Sequence, residues 1–281
     1  LQTYANIEII VVDDNGTEDT AAYRAIVENL VRSYHDGRIV YEQNHYNLGG
    51  SLARNEGLRI ATGDYVTFLD DDDRYLPGKV ENQLKFMLKH ELEMCFTDLR
   101  LCDPNERTVD FREYSRIRSY DHETLLRYHI TRHITGTPTF MYKKEAIDRV
   151  GGFPNAKMGQ EFYLMFNTIK SGVSIGYLPR SDVIAYRHQG EGLSMGSNKI
   201  DGEKALYSFK KKHFGLLSLR ERLFVKCRHH VVLAVAYRRS RKILRMLAHG
   251  AIATIVSPAD AVVEGIGFVE RLRKATRLYE G

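Results

Sequence analysis

Short hydrophobic runs alternate with segments of helical periodicity over the first two-thirds of the chain. The first run, residues 7–12, is rich in β-branched side chains and stops at turn-forming residues 13–16, which is typical of a strand. The same pattern predicts strands at 38–42, 65–69, 94–97, 139–142, 174–177 and 183–186, and helices at 17–32, 51–61, 77–90, 121–129, 143–150 and 160–170. Residues 103–119 are predicted to be irregular. This alternation predicts an α/β fold.

The pattern changes near residue 201, where turn signals become sparse and helical periodicity continues. Residues 204–281 contain 17 Lys and Arg against five Asp and Glu, whereas residues 1–203 contain 24 against 31. Basic clusters alternate with apolar runs such as 223–225 and 231–235, which predicts basic amphipathic helices lying on an anionic membrane surface. A helical cap packed on the rest of the chain and a homo-oligomer interface are the alternatives. No nucleic-acid partner is expected, because no recognition motif accompanies the basic residues.

The bulk properties are those of a globular protein. A chain of 281 residues, 43% hydrophobic and 27% charged, accommodates one large domain with a helical appendage. Cys95, Cys102 and Cys227 lack the spacing of a disulfide framework or a metal site, so we expect buried thiols and a reducing, cytoplasmic compartment. We also expect no signal peptide and no membrane-spanning helix, because no uncharged apolar stretch reaches roughly 18 residues.

Two acidic clusters follow apolar strands directly, at Asp13-Asp14 and at residues 70–73, which are four consecutive aspartates. Ligands bind at the carboxyl ends of strands in open α/β sheets. Adjacent carboxylates repel one another unless a cation lies among them. Because Mg²⁺ and Mn²⁺ prefer oxygen ligands and bridge carboxylates to phosphates, the second cluster predicts a site for a metal-bound diphosphate. A solvated acidic turn is the alternative.

Five segments, in order, resemble the family-2 glycosyltransferases. They are Ile7–Gly16, Asn47–Leu58, Ala61–Asp73 with Pro77 beyond it, Val150–Phe153, and Gln160-Glu161 followed by Arg187-His188. Each alone is a weak signal, but their order across residues 1–195 is specific. The resemblance implies an α/β fold of the GT-A type: a Rossmann-like nucleotide half (about 1–100) fused to an acceptor half (about 101–203) through a mixed sheet flanked by helices. Residues 204–281 would form a basic helical extension.

The resemblance also implies roles for residues on the donor side. Asp14, helped by Asp13, would contact the nucleotide base. Asp70 and Asp71 would lie against the ribose and the diphosphate. Arg54 lies near the start of a helix, where an anion is favoured, so it would bind near the diphosphate; an ordinary surface arginine is the alternative.

The metal and the catalytic base are implied in the same way. Asp72 would be the principal ligand of Mn²⁺ or Mg²⁺, and His188 falls where the family has a histidine near the metal or the diphosphate. The base would be Glu161, although the family usually has Glu-Asp where this chain has Gln160-Glu161, which retains a carboxylate on a longer arm. Glu161 would take the proton of the acceptor hydroxyl in an inverting displacement. An ordinary glutamate in the first turn of a helix is the alternative.

The activity implied by the resemblance is transfer of a hexosyl or N-acetylhexosaminyl group from a UDP-sugar. The acceptor would be a saccharide or a lipid-linked saccharide of a bacterial surface polysaccharide. Such an enzyme would be cytoplasmic and peripheral on the inner face of the membrane. Family members begin with a strand and a helix ahead of the segment matched by residue 1, and we expect this chain to lack them. The alternatives are a sugar-phosphate nucleotidyltransferase and an inactive transferase-like scaffold at a membrane surface.

Overall fold

A computed structural model describes residues 2–16, 21–156, 158–187, 196–264 and 266. Within them, strands and helices alternate up to residue 186 and helices follow. The strands are β1 (Ile9–Asp13), β2 (Ile39–Gln43), β3 (Tyr65–Thr67), β4 (Arg74–Tyr75), β5 (Met94–Thr97), β6 (Leu99–Cys102), β7 (Thr108–Arg112), β8 (Met141–Lys143), β9 (Ile175–Leu178) and β10 (Val183–Tyr186). The helices are α1 (Ala21–Ser33), α2 (Gly50–Ile60), α3 (Lys79–Lys89), α4 (His122–Arg132), α5 (Lys144–Val150), α6 (Gln160–Lys170), α7 (Gly196–Lys212), α8 (Leu219–Arg239) and α9 (Ile243–Val256).

The strands form three sheets. β1 and β2 pair in parallel. A mixed sheet has the order β3-β8-β5-β9, with β8 antiparallel to both of its neighbours. Another mixed sheet has the order β4-β10-β6-β7. The main core lies where the β3-β8-β5-β9 sheet meets the helices, and it includes Phe96, Tyr142, Ile147 and Leu164.

The chain passes from the β3-β8-β5-β9 sheet to the β4-β10-β6-β7 sheet three times, and one of these passages is the acidic turn. β3 ends at Thr67 in one sheet and β4 begins at Arg74 in the other, so residues 70–73 lie at the junction. The second passage is the single residue Asp98, between β5 and β6, and the third joins β9 to β10. The junction therefore holds the aspartates at a point where both sheets restrain the chain.

Most predicted elements are confirmed, but β4 and β6 were not predicted, and one strand lies in a segment predicted to be irregular. The hairpin partner β7 lies inside the stretch predicted to be irregular, and it pairs antiparallel with β6. Its residues are mostly exposed and only Val109 is buried, so the hydrophobic pattern is too weak to reveal it; main-chain hydrogen bonds to β6 define the strand. The predicted strand at 65–69 is shorter and ends at Thr67. The start predicted for the first helix, at residue 17, lies outside the described residues.

The described part of the C-terminal region is helical, as predicted, but α8 buries much of its apolar side against the rest of the protein. Phe224 and Val225 are buried, and Val225 packs with Ile130 of α4 and Phe166 of α6. Leu233 packs with Ile200 of α7. Phe224 and Val225 therefore lie against the rest of the protein, where α4 and α6 offer an apolar surface, whereas Leu223 is exposed. No helix of the described residues is both long and apolar enough to cross a membrane.

Candidate active site

Asp13, the last residue of β1, is buried, and both of its carboxylate oxygens accept hydrogen bonds. Its Oδ1 accepts hydrogen bonds from the main-chain N–H and the side-chain amide of Asn15, at 2.9 and 2.8 Å, and its Oδ2 accepts one from the Tyr41 hydroxyl at 2.6 Å. Burial alone would raise the pKa of Asp13, but these hydrogen bonds outweigh it and hold the pKa below its usual range. Burial, followed by the hydrogen bond to Asp13, raises the pKa of Tyr41 to about 12. Asp13 is thus an ionised anchor at the end of β1.

Asp14 ties the loop of residues 44–49 to the same strand end. Its carboxylate accepts from the Asn44 amide at 2.8 Å and from the N–H groups of Leu48 and Gly49 at 2.9 and 2.7 Å. The loop passes so close that a Cβ on Gly16 would lie 1.9 Å from the main chain of Tyr46. Only glycine leaves room for this approach, so the Asp-Asp-Asn-Gly turn and the loop before α2 form one rigid unit.

The aspartate turn is held at its start and its end. The main-chain N–H of Asp73 donates to the Asp70 carbonyl at 3.0 Å, which closes the turn. The Asp73 carboxylate accepts from the N–H of Tyr186 on β10 at 3.1 Å. Between these ends, Asp71 and Asp72 are exposed. The turn therefore presents its two middle carboxylates outward while its ends stay fixed.

A buried lysine supports the strand that leads into this turn. Lys79 is fully buried, donates to the Thr67 hydroxyl and lies 4.1 Å from the centroid of the Tyr75 ring. The Tyr75 hydroxyl donates to the Phe68 carbonyl and lies 2.9 Å from the Thr67 hydroxyl. Burial lowers the pKa of Lys79 to about 7. This network connects α3, β3 and β4 directly beneath the aspartates.

Arg54 of α2 connects the aspartate turn to the start of α6. One terminal nitrogen of its guanidinium forms an ion pair with Asp70. The other donates to the Gln160 side-chain carbonyl at 2.9 Å and to the Gly50 carbonyl at 3.1 Å. The guanidinium also lies over the Phe153 ring, 5.5 Å from its centroid. A guanidinium that contacts several acceptors at once restrains them more strongly than the single ammonium group of a lysine could.

The neighbouring Asn55 attaches α2 to the Gly-Gly-Phe turn. Its amide donates to the Phe153 carbonyl and accepts from the Phe153 N–H, both at 2.8 Å. Gly152 has a φ of +67°, and a Cβ there would lie 2.6 Å from the side-chain oxygen Oδ1 of Asn55. The turn needs glycine at this position for both its conformation and the close approach.

Glu161 lies in the first turn of α6, and its surroundings position the helix. Gly159, with a φ of +74°, precedes the helix, and the Gln160 side chain is held by Arg54. The buried His129 stacks on the Phe162 ring at 4.3 Å, and its Nε2 lies 2.9 Å from the Phe162 carbonyl. Burial lowers the pKa of His129 to about 3, so its ring is neutral. Among the described residues, the Glu161 carboxylate has no hydrogen-bond or ion-pair partner.

The described residues contain no group of three or more His, Cys, Asp or Glu side chains arranged around one point that could hold a metal ion. The predicted ligand His188 lies outside the described residues. Asp70, Asp71 and Asp72 share one turn after β3, and carboxylate oxygens are the donors that Mg²⁺ and Mn²⁺ prefer. These ions usually keep only one or two protein carboxylates and complete their shell with water and phosphate oxygens, so this donor set fits such an ion.

Several residues of the site were not singled out in the sequence. Asn55, Lys79 and His129 act through partners 98, 12 and 33 residues away in the chain. The only local signal was the Ala-Arg-Asn segment, in which Asn55 follows Arg54. Lys79 and His129 look like ordinary helical residues, because no pattern in the neighbouring sequence predicts that they are buried.

The fold matches that of a solved glycosyltransferase. The mannosyltransferase PcManGT from Pyrobaculum calidifontis, solved with GDP-Man and Mn²⁺, aligns with 99% of this chain and 75% of its own length, with a TM-score of 0.55 and 19% identity. The GT-A architecture expected from the resemblance is therefore confirmed.

The family follows from the sequence comparisons. Residues 1–151 match the model of glycosyl transferase family 2. An uncharacterised glycosyltransferase of Haemophilus influenzae is 31% identical over 208 residues, which are 74% of this chain and 76% of that protein. The chain therefore belongs to family 2 and is a glycosyltransferase.

One characterised relative shares a shorter segment. WfaP of Escherichia coli, named a UDP-Glc:alpha-D-GlcNAc-diphosphoundecaprenol beta-1,3-glucosyltransferase, is 43% identical over 86 residues. The match covers 31% of this chain and 32% of WfaP.

Proposed function

We propose that this glycosyltransferase moves a sugar from a UDP-sugar to a hydroxyl of a lipid-linked saccharide, with inversion at the anomeric carbon. The named activity of WfaP, which uses UDP-Glc and an undecaprenol-linked acceptor, supports the donor and acceptor classes. In this proposal residues 1–100 hold the donor, residues 101–203 hold the acceptor and residues 204–281 form an extension. Family membership favours this reading over a sugar-phosphate nucleotidyltransferase.

The observation that carries the proposal is the bridge made by Arg54. The predicted donor residues end at Asp70–Asp72, and the predicted base follows Gln160. One guanidinium contacts both Asp70 and Gln160, so these parts lie within the span of a single side chain although 90 residues separate them. Arg54 places three of its five N–H donors on Asp70, Gln160 and Gly50, so it positions these two parts, and its remaining donors would bind near the diphosphate.

Asp13 and Asp14 form one wall of the nucleotide site in this proposal. Three of the hydrogen-bond positions of the Asp14 carboxylate are used by Asn44, Leu48 and Gly49. A carboxylate has about four such positions, so one remains for a donor on the nucleotide base. Uracil offers an N–H of this kind. Asp13 holds the strand end and the turn in place through Asn15 and Tyr41.

Asp72 would be the principal ligand of a Mn²⁺ or Mg²⁺ ion, and Asp70 and Asp71 would lie against the ribose and the diphosphate. PcManGT, which shares the fold, was solved with Mn²⁺. When bound, such an ion neutralises charge on the diphosphate. The chain itself contributes the turn: the Asp73 carboxylate accepts from the Tyr186 N–H, and Lys79 anchors β3 through Thr67, so both ends of the turn are held in place.

Glu161 would act as the general base. It takes the proton of the acceptor hydroxyl, the oxygen of that hydroxyl attacks the anomeric carbon, and the bond from that carbon to the diphosphate oxygen breaks. UDP leaves with the electron pair of that bond, and Glu161 ends the step protonated. Two features support this role: its carboxylate has no partner among the described residues, and Arg54 and His129 fix the turn from which it projects.

A lipid-linked acceptor requires the enzyme to work at a membrane surface. We place it at the cytoplasmic face, where nucleotide sugars are available.

Isothermal titration with UDP, with and without Mn²⁺, tests the donor site. We expect binding that depends on the metal and is lost in Asp72→Ala. Asp148→Ala, at an exposed aspartate of α5 paired with Lys144, is the control and should bind as the parent does. Transfer from UDP-[¹⁴C]glucose and UDP-[¹⁴C]N-acetylglucosamine to an undecaprenol-linked saccharide then tests the activity. Metal-dependent binding without transfer to any acceptor would support the inactive scaffold instead, and metal-independent binding would contradict the assigned aspartates.

A further inference from the structure

The outward face of α9 is apolar and exposed. Leu244 and Ile255 expose 84% and 81% of their surface, and Leu247 exposes 58%. Ala248 and Ala251, also exposed, lie between them at helical spacing. A surface helix of a globular protein normally presents polar side chains to water, so this face requires a partner.

The opposite face of α9 already has one. Ala253 is buried, and Met246 packs against Leu233, Ala236 and Tyr237. His249 lies against α8, with its Nδ1 2.8 Å from Nδ1 of His230. α9 is therefore docked on α8 along one side, and its second apolar side is directed away from the part of the protein that the structure describes.

Length and hydropathy limit what this outward face can do. α9 has 14 residues, whereas crossing a bilayer takes about 20 apolar residues. Val262, Val263 and Ile266, beyond the helix, are also exposed, but Asp260 and Glu264 lie among them, so they are not counted in this face. A helix of this length with an apolar outer face is suited to lying in the plane of a membrane interface.

The charged residues beside this face favour a membrane over a second protein surface as its partner. Residues 238–256 contain five Arg and Lys and no Asp or Glu. All five cations are exposed, and they lie at one end of the apolar face, around the turn from α8 to α9; they are Arg238, Arg239, Arg241, Lys242 and Arg245. Cations beside an aliphatic surface complement an anionic lipid headgroup layer above acyl chains.

A second exposed apolar stripe shows the difference. Tyr23, Ile26 and Leu30 lie exposed along α1, and Tyr34 is exposed directly after its end. The charged residues among them, Arg24, Glu28 and Arg32, are of both signs, and Glu28 pairs with Arg32 at 2.5 Å. The α1 stripe therefore lacks the excess of positive charge found beside α9, and it provides a control surface on the same protein.

We propose that α9 docks this enzyme on an anionic lipid bilayer, with Leu244, Leu247 and Ile255 inserted at the interface and the basic residues 238–245 on the headgroups. This surface would bind lipid whichever sugar and acceptor the enzyme uses, so the proposal goes beyond the proposed function. It also divides the C-terminal region: α8 packs on the catalytic domain and α9 faces the lipid.

Because the chain contains no tryptophan, a single introduced tryptophan reports on its own surroundings. Leu247→Trp places the probe on α9, and Leu30→Trp, at a position of similar exposure (56% against 58%), places it on α1. Vesicles of phosphatidylglycerol and phosphatidylcholine should shift the emission of the α9 probe to shorter wavelength, and bromine-labelled acyl chains should quench it. The α1 probe should do neither. Equal responses of the two probes, or no response at position 247, would overturn the proposal.

Vesicle co-sedimentation supplies the second measurement. Leu244→Asp with Ile255→Asp should abolish binding, whereas Leu30→Asp should leave it unchanged. Replacing Arg239, Arg241 and Lys242 with Gln should weaken binding about fivefold per cation, and only to vesicles that contain the anionic lipid. Circular dichroism and UDP binding establish that each variant is folded with an intact donor site, so failure here is separable from failure of the proposed function. A dimer that dissociates in Leu244→Asp with Ile255→Asp, without lipid binding by the parent, would assign the face to a second copy instead.

Discussion

The side-chain amide of Asn55 pairs with the main chain of Phe153 through two hydrogen bonds of 2.8 Å. Phe153 is almost fully buried, so water cannot replace either bond. The pair joins α2 to the turn that leads toward α6. It acts beside the Arg54 bridge, and the two adjacent side chains hold the predicted donor and acceptor parts together.

Replacing Asn55 with Asp should destabilise the fold. Asp retains the bond from the Phe153 N–H, but its second oxygen then faces the Phe153 carbonyl without a proton between them. An unsatisfied buried carbonyl costs about 1–3 kcal/mol, and the repulsion adds to this, so we expect a loss of roughly 2–4 kcal/mol in the free energy of unfolding. Urea denaturation measures it. Glu56→Gln, at the next position of the same helix, where a half-exposed Glu56 pairs with the exposed Arg59, should change the stability by under about 0.5 kcal/mol.

Arg54→Lys should impair transfer although the charge is kept. A lysine cannot contact Asp70, Gln160 and Gly50 together, so at least one charge-assisted hydrogen bond is lost, which corresponds to about a tenfold decrease or more in kcat/KM. The matched control is Arg59→Lys, on the same helix and exposed, which should stay within about twofold of the parent. Unchanged kinetics in Arg54→Lys would show that the bridge is dispensable.

Glu161→Gln should lower kcat by about 10²–10⁴-fold, because the amide cannot accept the acceptor proton. UDP binding should be nearly unaffected, since the base contacts the acceptor. Initial-rate kinetics and isothermal titration on the same preparation give both values. Glu161→Asp restores the family's usual residue but shortens the arm, and it should retain more activity than Glu161→Gln. A Glu161→Gln enzyme that turns over normally would place the base elsewhere.

Lys79→Met should stabilise the protein, and more so at neutral than at alkaline pH. Burial lowers the pKa of Lys79 to about 7 in the folded state, while the unfolded chain keeps the ordinary value near 10.5. Between these values the unfolded state binds more protons, so the parent gains stability as pH rises and carries the full penalty below about pH 7. The advantage of the variant should therefore shrink by about 3 kcal/mol between about pH 7 and about pH 9.5.

Urea denaturation of parent and variant at the two pH values measures this difference, in which the titration of all other groups cancels. An advantage that does not depend on pH would mean that Lys79 has the same pKa in the folded and unfolded states.

Local patterns predicted much of the fold. Helix α6 was predicted at 160–170 and runs from Gln160 to Lys170, because a glycine precedes it and Gly172, with a φ of +72°, follows its end. The cap predicted at Asp121 is confirmed, since its carboxylate accepts from the Thr124 N–H at 2.9 Å. The three cysteines are buried, as expected. In contrast, β7 escaped prediction because an exposed edge strand has little hydrophobic alternation.

The sequence by itself determined the element types, the family and the positions of the acidic turns, because these depend on residues close together in the chain. Only the tertiary structure decided the partners of Arg54 and Asn55, the burial of Lys79, and which apolar face of the C-terminal helices stays exposed. These features depend on surfaces brought together from distant parts of the chain: α4 and α6 cover the apolar side of α8, whereas no described residue covers the outer side of α9. The physical reason is that burial and hydrogen-bond partnership belong to the packed arrangement and are not encoded at any single position.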